Sequence, residues 1–411
     1  MIFIVLWNSL GFFFIEFIIN YIFLFYPAYQ VGLFFSFITS GGLISSIFIG
    51  FLTDRYSKRI LVMVGSFGRG ISYFGLYISI ILESFIGIYI SAFVLGLGAY
   101  IFWNPLDSII SEKSSKYYRS SAFGKRRLAL GMGMLIGTIV GFVIFSLANF
   151  VTPGNPFFVY GAIPVFGISN FYAGIQFSRK VDEKKKFIYP ENDNDSLVDP
   201  NSENSTESSN ESLGFIYFLG IVILFCGFLL SAINFGFYRP YIQRYVLEYI
   251  NRNVELVAAF YLPTALIGAL IAPKLGTIAD KVNTYLAIAI ASFLGGVVTW
   301  LIINSGNLWF FAILLVIDQT IMLTVSFVFI NFLSRVSVKH RGKIFGLITV
   351  FESIGMIIGP VLGGLVYYGI SAQAPFIISI IVEWSLISFF VIGIWILNPY
   401  LVESIKNKKK N

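Results

Sequence analysis

Residues Gly50, Phe51, Leu52, Thr53, Asp54, Arg55, Tyr56, Ser57, Lys58 and Arg59 lie between two long apolar runs. One acid, three bases and a turn-permissive glycine cannot remain in hydrocarbon, where every polar group needs a partner within the protein. The stretch therefore marks a tight loop at a membrane surface, and the runs beside it must be spans. A spanning helix needs about 20 apolar residues. Splitting the chain at its polar breaks gives twelve such segments: 2–26, 31–51, 60–81, 85–106, 126–149 and 157–177, then 213–238, 254–274, 284–304, 308–331, 344–367 and 375–398.

Composition narrows the function. With 57% hydrophobic and 12% charged residues among 411, the chain is too apolar for a soluble protein. Its net charge of +7 needs no nucleic acid to explain it. Cys226 is the single cysteine and lies in an apolar run, so disulfides and thiolate metal sites within the chain are excluded. His340, the single histidine, stands among Lys339, Arg341 and Lys343 and reads as a solvated loop residue. A membrane enzyme would need clustered ligands or a nucleophile beside a base, and no metal or cofactor is expected. A pump driven by nucleotide hydrolysis is disfavoured because no G-x-x-x-x-G-K-[ST] loop is present. Met1 leads straight into apolar sequence without a basic leader or cleavage site, so residues 2–26 are read as a span rather than a signal peptide.

Orientation follows from the basic residues, which are retained on the cytoplasmic side. The side that carries the 50–59 loop holds 24 Lys and Arg; the other holds 3, namely Arg239, Arg244 and Arg252. The remaining one, Arg69, falls inside the third span. Both termini are thus expected in the cytoplasm of a multi-pass plasma-membrane protein. Residues 179–212 are dominated by Asn, Ser, Glu and Asp beyond their basic start and cannot bury enough apolar surface to fold. They read as a disordered cytoplasmic linker between bundles at 1–178 and 213–400, with a basic tail at 401–411. Sugar on the acceptor-like Asn194, Asn204 or Asn210 would refute the orientation.

The two halves repeat. A shift of 226 residues carries Gly50, Leu52, Asp54 and Arg55 onto Gly276, Ile278, Asp280 and Lys281. A shift of 222 carries Arg119 onto Arg341 and Gly133, Gly137 and Gly141 onto Gly355, Gly359 and Gly363. Glycines four apart line one helical face and let backbones approach closely; the contact expected of them is the one between halves.

At this point the chain resembles the major facilitator superfamily of secondary transporters. The family's loop signature, G-x-L-x-D-R-x-x-x-R/K after the second span, is matched by Gly50, Leu52, Asp54, Arg55 and Arg59, with Ser57 where a second glycine is usual. The resemblance covers essentially the whole chain. It implies an all-α membrane fold of twelve helices in two pseudo-symmetric six-helix bundles, with helices 1, 4, 7 and 10 lining a central cavity. It also implies a latch at the cytoplasmic gate. Asp54 would accept from the N-terminus of helix 11, and Arg55 would pair with Asp107 or Glu112. The glycine-proline signature associated with proton-driven exporters is expected in helix 5. Here Thr138 replaces its proline, while helix 11 carries the whole pattern through Gly359, Pro360, Gly363 and Gly364.

Charges inside spans are costly and therefore informative. They are Glu16, Arg69, Asp318, Glu352 and Glu383, and the cavity-lining helices single out Glu16 and Asp318. A carboxyl in low dielectric can exchange a proton near neutral pH, so these two are the proton-coupling candidates. The alternative is a structural role, hydrogen-bonded to Asn20 or Gln319 or paired with Arg69. Trp7, Asn20, Trp103, Asn104, Asn234, Phe235, Tyr238 and Gln319 complete the expected lining. No Lys or Arg is found away from the ends of helices 1, 4, 7 and 10, which argues against an anionic substrate. The expectation is a monomeric, proton-coupled secondary transporter for a small neutral or cationic organic solute, with efflux favoured over uptake. A non-transporting sensor or assembly factor on the same fold is the alternative.

Overall fold

The computed structural model describes residues 2–113, 119–182, 215–261, 283–336 and 341–398, together with 263, 267 and 271. Predicted features outside these residues include most of the 179–212 linker, the tail, His340, and Gly276, Asp280 and Lys281. The described residues form helices and turns only. In order these are α1 (Ile2–Ser9), α2 (Phe12–Ile22), α3 (Tyr29–Arg55), α4 (Lys58–Ile81), α5 (Phe85–Lys113), α6 (Arg119–Val151) and the short α7 (Pro156–Val159). Next come α8 (Ala162–Lys180), α9 (Phe215–Tyr249), α10 (254–261), α11 (Thr284–Ile303), α12 (Leu308–Val336), α13 (Arg341–Gly369) and α14 (Ala374–Leu397). Among the described residues, eleven helical segments are long and apolar enough to cross a membrane. The remaining predicted span, 254–274, starts as α10 and continues largely outside the description.

Two boundaries differ from the sequence expectation. The first span is broken into α1 and α2 at Leu10 and Gly11, where Gly11 takes φ 88°. A side chain there would be strained and would collide with Phe166. The seventh span, expected to end at Tyr238, runs on to Tyr249 with Pro240 inside the helix. Proline removes one backbone donor, but burial of Tyr241, Tyr245 and Val246 keeps the helix going.

The glycine stripes pack inside each half, not between the halves. Side chains at Gly133, Gly137 and Gly141 of α6 would run into Leu6, Leu10, Gly11 and Phe14 at the α1–α2 break; side chains at Gly355, Gly359 and Gly363 of α13 would run into Ala232, Ile233 and Phe237 of α9. The seam between halves is made elsewhere, mainly by α3 against α13. There Gly32 and Gly364 leave room for Pro360 and Tyr29, and Ser36 donates to the Ile357 carbonyl at 2.6 Å.

Apolar packing is uneven along the bundle. One end carries the start of α1 and α9 and the finish of α8 and α14, and is called the near end. There the described residues form two separate cores, one around Val62, Phe102 and Phe177 and one around Phe228, Phe332 and Phe390. Toward the far end a single core joins both halves, with Phe14, Phe17 and Phe166 packed in one cluster with Tyr241, Phe311 and Phe376. Among the described residues the halves thus share one core at the far end and have separate cores at the near end.

Candidate functional site

Arg239 lies ten residues from the far end of α9, and Asp318 ten residues from the far end of α12, about 15 Å in each case at the α-helical rise. Both therefore sit near the middle of a bilayer about 30 Å thick. Arg239 Nη1 donates to Asp318 Oδ2 at 2.7 Å, Nη2 reaches Gln319 Oε1 at 3.5 Å, and the guanidinium lies over Phe235. One turn on, and so on the same face of α9, Gln243 crosses the seam to α2. It donates to Glu16 Oε1 at 3.2 Å and accepts from Asn20 Nδ2 at 3.0 Å. Asn20 is fully buried. A single face of α9 thus ties the carboxyl of α12 to the carboxyl of α2.

Closer to the far end, Arg244 closes the seam. Its guanidinium donates to the carbonyls of Phe23 at 2.9 Å, Leu24 at 3.3 Å and Tyr26 at 3.0 Å, where the first span runs out of helix and leaves acceptors free. Nε donates to Glu248 at 2.7 Å, and Glu248 accepts from Tyr367 of α13 at 2.5 Å. Tyr241 donates to the Pro360 carbonyl. Three spans are fastened together by groups that are all buried or half-buried.

Of the predicted lining, Glu16, Asn20, Phe235, Asp318 and Gln319 meet in this cluster. Asn234 and Tyr238 line a small adjoining cavity in the C-terminal half. Trp7 does not join them. It lies on α1, before the break at Gly11, and packs edge-on against Tyr172 in a groove of about 750 Å³ between α1, α5, α6 and α8. Trp103 lies under Arg126, and Asn104 is exposed. Arg69 pairs with neither Glu16 nor Asp318; it donates to Asn8, which also binds Ser66 and Asn170 at 2.9 Å each.

Two corrections concern charge. Arg239 and Arg244, which the sequence places in a loop, are inside α9, so a cation does stand in mid-span at the seam. Arg239 and Gln243 are the site residues that the sequence reading does not single out; their spacing of four on a continuing apolar pattern is the available signal, masked because Arg239 is itself a polar break in that run. The expected pairing of Arg55 is also not formed. Asp107 binds Arg126 at 2.7 Å and Glu112 binds Lys58, both nearer bases, while Arg55 lies over the Phe51 ring at 4.0 Å. Arg59 is half-buried in the first turn of α4, and a Cβ on Gly50 would meet nothing. Asp54, Arg119 and Arg341 lie on described helices, but their side chains are outside the description.

The family model described as the Major Facilitator Superfamily matches residues 1–338. The "Multidrug resistance protein 2" of Bacillus subtilis (strain 168) is 21% identical over an alignment of 353 residues that covers 82% of this chain and 79% of that protein. Among solved structures, a bacterial homolog of the human lysosomal transporter Spinster, in an inward-facing and unoccupied conformation, superposes with a TM-score of 0.64. It is 14% identical and covers 98% of this chain and 96% of its own. The nucleoside transporter NupG superposes with a TM-score of 0.64 at 13% identity, covering 95% and 96%. The family model spans well over half of the chain, the likeness in fold extends over nearly its whole length, and the chain belongs to the Major Facilitator Superfamily.

Proposed function

We propose that the chain is a proton-coupled secondary transporter of the plasma membrane. It moves a small neutral or cationic organic solute by alternating access, as a monomer, with export favoured over uptake. Bundles 1–178 and 213–400 rock about their seam, joined by the cytoplasmic segment 179–212, with both termini and the basic tail 401–411 in the cytoplasm. One observation carries this: among the described residues the halves share a core at the far end and keep separate cores at the near end. Packed interfaces switch between discrete arrangements rather than deforming smoothly, and a bundle fused at one end only is one of two such arrangements.

The seam supplies the coupling. A buried ion pair is tolerated only while both partners are present. A proton on Asp318 leaves Arg239 without its countercharge, and Glu16, held one turn away through Gln243, is the next carboxylate. Transfer of the guanidinium's attention from α12 to α2 would change the packing of α9 between them. With one Arg set against Asp318 and Glu16, the site has no spare positive charge for an anion. The Bacillus subtilis relative, named for multidrug resistance, supports export of organic compounds. At the near end, Asp54 and its repeat Asp280 would latch the gate once it closes, with Gly50, Arg55, Arg59, Gly276, Lys281, Arg119 and Arg341 around them.

In proteoliposomes under an imposed pH gradient, a panel of organic cations should include one whose flux moves protons and varies with pH. Asp318→Asn should flatten that pH profile. A profile unchanged in the variant would overturn the coupling role, and proton-independent silence across the panel would favour a sensor or assembly factor.

A further inference from the structure

We infer that the small cavity inside the C-terminal helices binds a compact monovalent cation between Asp318 and Glu383, either a sodium ion or the ammonium head of an organic solute. The cavity measures about 130 Å³ and is lined by Ser231, Asn234, Tyr238, Ser292, Asp318 and Glu383 among others. That is room for about four waters at about 30 Å³ each, enough for an ion with part of its shell or for a small amine.

Three features point to a positive guest. Glu383 of α14 is half-buried within a span and has no basic partner among the described residues. It reaches the cavity because α11 presents Gly295 to it; a Cβ there would collide with its Oε1. Second, Asn234 is only 7% exposed, and its Nδ2 donates to the Ser379 carbonyl at 3.3 Å. Its Oδ1 is left without any partner, an unsatisfied acceptor of a kind that calls for an explanation. Third, the nearby base is already taken, since Arg239 is bound to Oδ2 of Asp318; a cation entering beside Glu383 would supply the countercharge that holds that carboxyl in its ionised form.

A carboxylate without a base and an amide oxygen without a donor are both acceptors only. Oxygen donors of this kind hold hard cations and accept equally from N–H groups of an ammonium. One carboxyl without a base can balance one positive charge, which selects a monovalent guest over a divalent one. Phe235, Phe329 and Phe390 complete the wall and add ring faces that attract a cation. The part the cation plays in transport rests on the function proposed above; its binding does not.

The test uses the full-length protein in detergent at fixed pH and ionic strength. Thermal unfolding is followed as sodium chloride or methylammonium chloride replaces tetraethylammonium chloride, which has no N–H to donate and is too bulky for the cavity. A guest that binds only the folded state raises Tm. A rise with sodium identifies an ion site, and a rise with methylammonium alone identifies an amine subsite. Either rise should vanish in Glu383→Gln and shrink in Asn234→Leu, which carries the test alone if the first variant does not fold. No rise with either cation, or a rise of wild-type size in the variants, overturns the inference while leaving transport to be judged by its own assay.

Discussion

Asp318 and Glu16 were visible from sequence because a carboxyl in an apolar run has few reasons to be there. Arg239 and Gln243 were not. Arg239 is itself a polar break in the apolar run, so the sequence puts it in a loop, and only the burial of Tyr241, Tyr245 and Val246 shows why α9 continues past it and past Pro240. The same misplacement hides a mid-span cation at the seam. The Arg239–Asp318 pair is mostly buried, with side chains 27% and 9% exposed, and removing one partner of such a pair strands the other. Arg239→Gln and Asp318→Asn should each lower unfolding stability by about 3 kcal/mol or more. The double variant should lose less than the sum. Strict additivity in chemical denaturation would show that the two do not act as a pair.

The helices themselves were legible, because apolar runs of about 20 residues between polar breaks have few alternative folds. Which faces meet was not. A span that is apolar all round carries no stripe to say what it packs against, so the glycines of α6 and α13 were assigned to the contact between halves. They serve instead the approaches of α6 to α1 and α2 and of α13 to α9. The break at Gly11 was equally silent, since a single glycine in an apolar run marks many things other than a turn. At the near end, the last turn of α3 carries the repeated acid. Asp54→Asn removes an anion that would favour the start of a facing helix without adding bulk. It should insert normally and abolish solute flux in vesicles; flux at the wild-type rate would remove the latch from the account.

Across the whole molecule the sequence repeat predicted two related halves, but nothing in it says which end is closed. The answer lies in long-range packing: Arg244 on the first span's free carbonyls, Glu248 on Tyr367, and an aromatic core common to both halves at the far end. Alternating access requires that this arrangement be one of two. The direct measurement is electron–electron distance spectroscopy on the chain with Cys226 replaced by Ser. One pair of spin labels sits near the near end, at the exposed Lys125 of α6 and Leu347 of α13, and one at the far end, at the exposed Val151 and Trp309. On acidification or addition of a transported solute, the near-end distance should shorten while the far-end distance lengthens. Distances that stay fixed, or that change in the same sense at both ends, would contradict the account.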